Sequence, residues 1–128
     1  MDYDISALGN ALVDTQYMVD HDFLNEIGLE PDSMTLASSE EHIPIIKKLT
    51  AMGVESVSDC GGSATNSLVA AAHYGSNCHH VCRVANDQDG KKYLDSLQSA
   101  GVKHIGFSKE KSTLPTGKCL IFVSLEVE

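Results

Sequence analysis

Two short runs of glycine and polar residues have the composition of ligand-binding turns. The run CGGSATN, at residues 60–66, lies between a predicted strand and a predicted helix. A glycine pair at such a junction permits a sharp turn and a close approach of the backbone to a ligand. The helix N-terminus adds unpaired N–H donors and a partial positive charge. Asn66, one turn into the helix, offers both a donor and an acceptor, which suits a sugar hydroxyl.

The second run, GNALVD at residues 9–14, closes the first predicted strand. Strand ends are where α/β folds bind ligands. Asn10 and Asp14 can bind vicinal hydroxyls there, with Asp14 as a charge-assisted acceptor. On the residues alone, a glycine pair before a helix is equally well a plain tight turn. Neither run has the Gly-Lys-Ser/Thr of a phosphate-binding loop or the Gly-x-Gly-x-x-Gly of a dinucleotide fold.

Composition restricts the class of protein. The 128 residues correspond to about one domain, and 42% hydrophobic residues are enough for a core. A formal net charge of -9 disfavours nucleic acid and anionic membranes as partners, since both require Lys and Arg. The longest apolar runs, at 68–72 and 120–123, are far shorter than a membrane span, and the N-terminus has no secretory pattern. We therefore expect a soluble, cytoplasmic protein.

Hydrophobic periodicity predicts an α/β chain in which strand pairs come first and strand–helix alternation follows. Helices are expected at 21–27, from Ser38 onward, from Gly62 to Gly75, and from Asp87 to Gly101. Asp20 and a Ser38–Glu41 capping box are predicted to begin the first two helices, and Gly28 to end the first. Strands are expected at 4–8, 13–19, 33–37, 54–60, 79–84, 103–107 and 116–123.

Acidic, cysteine and histidine residues offer other chemistry. Asp87 or Asp89 could serve as a catalytic base, but both open a predicted helix, where capping is the better interpretation. The cysteines, Cys60, Cys78, Cys82 and Cys119, are expected to be free thiols, because the chain is not a small cysteine-dense scaffold. On a strand, Cys78, His80 and Cys82 would share one face. Zinc prefers four ligands in other spacings, so we predict no metal site.

Four segments, in this order and spacing, resemble the N-terminal half of the ribokinase/PfkB family of carbohydrate and nucleoside kinases, above all its adenosine-kinase-like members. They are the runs at 9–14 and 60–66, RVANDQDG at 83–90, and TGKCLIFV at 116–123. The resemblance extends from about residue 4 to residue 123. It implies that the substrate-binding residues are Asn10, Asp14, Gly61, Gly62 and Asn66.

The resemblance also implies the fold. We expect one truncated ribokinase-like α/β domain over residues 1–128. It would hold the N-terminal part of the central sheet with flanking helices, plus a small β-sheet lid. The lid strands are expected near 12–19, 33–37, 54–60 and 116–124. Two positions depart from the family pattern: Ala85 stands where Gly is usual, and Leu68 where a small residue is common.

The largest departure concerns the catalytic half of the family. No Gly-x-Gly-Asp run occurs in the sequence, whereas the family's anion hole, catalytic Asp and ATP site belong to its C-terminal half. The full-length family phosphorylates a sugar hydroxyl with ATP and Mg. For this chain alone we predict part of the substrate site, no catalytic residue, no bound cofactor and no turnover.

Two other functions stay open. The first is a non-catalytic binding or oligomeric assembly module that uses the same half-fold. A homo-oligomer formed through lid strands or exposed sheet edges is expected in either case, because unpaired edges and exposed apolar faces promote association. The second, an unrelated nucleotide-binding α/β domain, is disfavoured because no phosphate-binding loop is present.

Overall fold

The computed structural model describes residues 2–107 and 113–125 of the 128-residue chain. Ten elements follow one another within these ranges. The strands are β1 (Ile5–Leu8), β2 (Leu12–Val19), β3 (Ser56–Gly61), β4 (Cys78–Val84), β5 (Lys103–Phe107) and β6 (Gly117–Ser124). The helices are α1 (His21–Ile27), α2 (Ser39–Ala51), α3 (Ser63–His73) and α4 (Gln88–Ser99). The mixed α/β class expected from the sequence is confirmed.

The first two helices begin and end where local side chains satisfy the backbone. Asp20 caps α1 by accepting a hydrogen bond of 2.8 Å from the Phe23 N–H. Gly28 ends α1 with a left-handed φ of 73°, a conformation that glycine adopts without a steric penalty. Ser38 and Glu41 form the predicted capping box, in which each side chain accepts from the other residue's N–H. These ends are therefore specified by neighbours in sequence.

The described strands form two three-stranded sheets, with orders β1-β4-β5 and β3-β2-β6. In the first sheet both pairings are parallel. Leu8 pairs with Val81, which in turn pairs with Ile105. Parallel order requires crossover connections, and α3 and α4 lie in the chain segments that precede β4 and β5.

The chain divides into two compact units, one of Met1–Thr15 with Ser58–Cys119 and one of Gln16–Val57 with Leu120–Glu128. The first unit contains the larger core, in which side chains of α3 and α4 pack with those of the strands. Leu68, Cys78, Tyr93 and Leu97 are almost completely buried there. Leu68, unusual for the resembled family, is thus a core residue of this unit.

The second unit has a small core of its own. Tyr17, Phe23 and Leu49 are buried, and the rings of Tyr17 and Phe23 both stack or tilt against Phe122. Lys48 lies over the Phe23 ring, 5.7 Å from its centre, and forms an ion pair with Glu26. This arrangement holds α1 and α2 to the apolar face of their unit.

One predicted strand is absent. Residues 33–37, expected to be a lid strand, have no regular secondary structure. Met34 and Leu36 are 87% and 90% exposed. The prediction used β-propensity, which depends on a partner strand to pack against, and no described strand pairs with this segment. Strands do occur at the other three positions, as β2, β3 and β6, with β3 at Ser56–Gly61 instead of 54–60; their role as a lid stays a prediction.

Candidate functional site

Asp14 and Gly61 form the centre of the candidate site. Asp14 lies on β2 and Gly61 is the last residue of β3. A side chain built at Gly61 would begin closer than 3.0 Å to the Asp14 carboxyl atoms. Because only a hydrogen stands between them, the carboxylate lies directly against the Gly61 backbone. The two runs singled out in the sequence therefore meet at this point.

A second contact joins the same two runs. Gly62 has a φ of 101°, which residues with a side chain rarely adopt, and it is the N-cap of α3. A Cβ there would lie 2.5 Å from the Asn10 carbonyl oxygen. Gly9 is equally close to α3, since its Cβ would lie 2.5 Å from Ala64 Cβ. Glycine at these positions lets the first turn of α3 rest on the turn after β1.

Asn66 follows one turn into α3. Its N–H donates to the Gly62 carbonyl oxygen at 2.9 Å, and the residue is exposed. Asn10 is also exposed, whereas Asp14 is half-buried. The structure thus brings together Asn10, Asp14, Gly61 and Gly62, and it ties Asn66 to them through the helix backbone. Their role in binding a substrate stays a prediction.

The charge at the site is set by two carboxylates. Burial, and then the negative charge of Asp59, raise the pKa of Asp14 above its ordinary value of 3.8. Asp59 is itself held ionised: a hydrogen bond from the Ser96 hydroxyl and one of 2.7 Å from the Cys60 N–H lower its pKa. Asp14 is therefore a carboxylate that gains from any ligand that donates hydrogen bonds to it.

The sequence did not indicate three further residues around the site: Asp59 and Cys119, which act on or are acted on by Asp14, and Ser96, which bonds to Asp59. Asp59 could have been found, because residues 59 and 61 share a face of a strand by its two-residue period. Ser96 is 35 residues beyond Gly61 on α4, and no local pattern connects it with the site. Cys119 lies close enough that Asp14, after burial, raises the pKa of its thiol.

The acidic and cysteine residues that the sequence offered for other chemistry have structural roles or form no site. Asp87 caps α4, accepting from the Gly90 N–H at 2.7 Å, and it also binds Thr116 through both carboxylate oxygens. Asp89 pairs with Lys118 at 2.6 Å. The cysteines are free thiols. Across residues 2–107 and 113–125, no three His, Cys, Asp or Glu side chains gather in a way that could hold a metal ion.

Comparison with protein families identifies the fold from which this site comes. Residues 36–128, most of the chain, match the model of the pfkB family carbohydrate kinases. The chain belongs to the PfkB family. The match includes Gly61, Gly62 and Asn66 but begins after Asn10 and Asp14. No curated protein matches this PfkB chain.

Solved structures extend the likeness to nearly the whole chain. The adenosine kinase of Sinorhizobium meliloti is 28% identical over 95% of this PfkB chain, with a TM-score of 0.74. The adenosine kinase of Anopheles gambiae, in complex with P1,P4-di(adenosine-5) tetraphosphate, is 28% identical over 93%, with a TM-score of 0.75. A probable sugar kinase from Rhizobium etli is 25% identical over 95%, with a TM-score of 0.72.

The PfkB chain spans only 36 to 37% of the length of these three proteins. The resemblance to an N-terminal portion of an adenosine-kinase-like family member, and the partial ribokinase-like fold, are thereby confirmed. Within the described residues, no helix is long and apolar enough to cross a membrane.

Proposed function

We propose that this chain carries part of the substrate site of a sugar or nucleoside kinase. The observation that supports it best is the contact between the Asp14 carboxylate and Gly61. It joins an acceptor for sugar hydroxyls to the start of a helix, where N–H groups without helical partners can donate. The adenosine kinases and the sugar kinase to which the chain is similar make a nucleoside or a sugar the first ligands to test.

The proposed binding chemistry follows from the charge on Asp14. Burial and Asp59 disfavour the ionised form of this carboxyl. Vicinal hydroxyls that donate to it would restore hydrogen bonds that burial removed, and charge-assisted bonds of this kind are the strong ones. The exposed amides of Asn10 and Asn66 can each donate to and accept from a further hydroxyl.

The residues present do not fit ATP and Mg. Phosphoryl transfer needs cations or a metal to neutralise the transferred group. The sequence has neither a Gly-x-Gly-Asp nor a Gly-Lys-Ser/Thr run, and no set of metal ligands forms within the described ranges. We therefore propose that this chain alone has neither the ATP site nor the catalytic base, and that it binds a sugar or nucleoside without phosphorylating it.

Calorimetric titration with adenosine and with ribose tests the binding proposal. The wild-type chain is expected to bind at least one of them, and Asp14→Ala to weaken that binding more than about tenfold, the loss of a charge-assisted hydrogen bond. Asp95→Ala is the matched control, since Asp95 is exposed and pairs with Lys91 on α4. Absence of binding at millimolar ligand, or equal loss in both variants, would refute the proposal.

A coupled ADP-release assay with ribose, fructose and adenosine tests the second part. We expect no turnover by the 128-residue chain. Robust ADP release that depends on the sugar would show that the nucleotide site and base are present after all.

A second candidate function is a non-catalytic assembly module. It is supported by exposed apolar side chains on the two outer strands of the parallel sheet: Leu8 on β1 and Ile105 on β5 are 81% and 61% exposed. Parallel sheets are ordinarily covered on both faces, so these residues favour a homo-oligomer. A stable oligomer that binds neither adenosine nor ribose would support the module. Four free thiols and a net charge of -9 favour a cytoplasmic setting without nucleic-acid partners in either case.

A further inference from the structure

Three buried polar side chains are linked by hydrogen bonds beneath the candidate site and form a hydrogen-bond chain. Thr65, His80 and Tyr93 are all fully excluded from solvent. The Thr65 hydroxyl lies 2.7 Å from the Tyr93 hydroxyl and 3.1 Å from His80 Nε2. His80 Nδ1 lies 3.3 Å from the Ala7 carbonyl oxygen. These bonds join one residue each from β1, α3, β4 and α4.

The direction of each hydrogen bond follows from the last one. The Ala7 carbonyl oxygen can only accept, so His80 Nδ1 carries a proton and donates to it; in the tautomer protonated at Nδ1, Nε2 accepts. Thr65 must then donate to His80, and its oxygen accepts from Tyr93. Burial raises the pKa of Tyr93, which keeps this hydroxyl a donor. The Tyr93 hydroxyl also lies in hydrogen-bonding contact with the Cys82 thiol.

Two glycines at the candidate site, Gly62 and Gly9, pack against residues of this hydrogen-bond chain. The Gly62 Cβ position lies 3.4 Å from the Thr65 hydroxyl, and the Gly9 Cβ position lies 3.7 Å from His80 Cε1. Gly9 directly precedes Asn10, and Gly62 begins α3. The Thr65 hydroxyl and the His80 imidazole therefore pack beneath the turn after β1 and the first turn of α3, the two turns that form the site.

We infer that Thr65, His80 and Tyr93 are positioning residues that fix the turn after β1 against the first turn of α3. The inference rests on the proposed function, since it concerns the geometry of that same site. None of the three can touch a ligand, because all are fully buried. Buried polar groups are costly unless fully paired, and fully paired networks make the surrounding structure rigid. An apolar core would fill this space without specifying where Asn10 sits relative to Gly62.

The test compares variants that differ by one hydroxyl. Thr65→Val keeps the volume and removes both bonds of Thr65, whereas Thr65→Ser keeps the hydroxyl. Tyr93→Phe removes the bond between Tyr93 and Thr65, together with the contact of the Tyr93 hydroxyl with the Cys82 thiol, and serves if Thr65→Val does not fold. Tyr17→Phe is the matched control: Tyr17 is buried in the small core of the second unit, where its ring stacks on Phe122.

Amide hydrogen exchange provides the readout. The N–H groups of Asn66 and Gly9 bond to Gly62 and Val81 at 2.9 and 3.2 Å and report on the two turns. The N–H of Ala100, bonded to Ser96 at 3.1 Å, reports on the far end of α4. Thr65→Val is expected to accelerate exchange at Asn66 and Gly9 about tenfold more than at Ala100, the effect of one lost buried hydrogen bond.

Thr65→Ser is expected to restore slow exchange, and Tyr93→Phe to cause a smaller acceleration at the same two amides. Equal acceleration at all three amides, or a Thr65→Ser variant that behaves like Thr65→Val, would overturn the inference. Adenosine titration of the same variants separates the two proposals. If the wild-type chain binds neither adenosine nor ribose, the proposed function fails, while hydrogen exchange still decides whether this buried chain positions the turns.

Discussion

A side chain at Gly61 would occupy the space that the carboxylate of Asp14 fills. The two residues are 47 positions apart in sequence, and each lies in one of the two polar runs. This contact explains why glycine is needed at position 61 even though its φ lies outside the left-handed region. Glycine is needed there for a steric reason, because the Asp14 carboxylate fills the space that a side chain would take.

The Gly61→Ala substitution is expected to destabilise the chain by about 1–3 kcal/mol, the usual cost of inserting a methyl group into a filled space. Because the obstructing atoms belong to one short side chain, Asp14→Ala should relieve most of the loss. The free energy of unfolding, measured in urea for both single variants and the double variant, gives the coupling between them. Strictly additive losses would show that the two groups are not in contact.

Gly62→Ala is expected to be more harmful than Gly61→Ala, and Asp14→Ala should not rescue it. Here the new Cβ meets the Asn10 carbonyl oxygen, 2.5 Å away, and the backbone has a φ of 101°. Neither obstacle can rotate aside. A urea midpoint for Gly62→Ala above that of Gly61→Ala would contradict this explanation.

Asp14→Asn is expected to stabilise the free chain while it weakens ligand binding. The pKa of Asp14 is raised in the folded state, so ionised Asp14 opposes folding. This cost in stability is absent below the unfolded pKa of 3.8, and it grows as pH rises through the raised, folded-state value. Asn removes that penalty together with the charge that binds hydroxyls.

Thermal unfolding of Asp14→Asn and wild type between about pH 3 and pH 7 measures this effect. The two melting temperatures should be similar at the acidic end and separate as pH rises, with the variant higher. Asp95→Asn is the control, since Asp95 is exposed on α4. A variant that melts below wild type at pH 7 would show that Asp14 supports the fold instead of opposing it.

Residues that act through local contacts could be predicted from the sequence, and those that act across the fold could not. Asp20, Ser38 and Glu41 bond within three positions of themselves, so their types and spacing were sufficient. The polar runs could be found because each lies at a strand end. The bond from Ser96 to Asp59, and the chain through His80, depend on tertiary packing, which no local spacing encodes.

The prediction of a strand at 33–37 was wrong because a strand also depends on tertiary packing that local sequence does not encode. Alternating residues such as Met34 and Leu36 favour a strand locally, but a strand forms only when a neighbour supplies hydrogen bonds and an apolar surface. Both side chains are exposed. Propensity was therefore present without the packing that would use it.

Asp87→Asn is expected to destabilise the chain by about 1–3 kcal/mol at neutral pH, the cost of leaving one buried N–H donor without an acceptor. Both carboxylate oxygens accept: Oδ1 from the Gly90 N–H, and Oδ2 from the Thr116 N–H at 2.9 Å. An amide must point its NH₂ group at one of these donors. Asp89→Asn is the control, because loss of its partly exposed ion pair with Lys118 should cost much less.

The effect of Asp87 should depend on pH in the opposite sense to that of Asp14. Burial acts to raise the pKa of Asp87, but hydrogen bonds from Thr116 and Gly90 outweigh it and lower the pKa below 3.8. Its contribution is present above the unfolded pKa and is lost as pH falls through the lowered value. The Asp87→Asn and wild-type stabilities should therefore converge in acid. A constant difference across this range would rule out the charge as the cause.

The chain is expected to self-associate through the exposed apolar face of its parallel sheet. Leu8, Val81 and Ile105 occupy paired positions on β1, β4 and β5, so their side chains form one apolar row on a single face. Ile105→Lys should shift light-scattering masses toward the monomer, because a charge in that row opposes burial. Leu36→Lys, at a residue 90% exposed but outside any strand, should leave the mass unchanged. A clean wild-type monomer at high concentration would contradict the expectation, whereas an oligomer insensitive to Ile105→Lys would place the interface elsewhere.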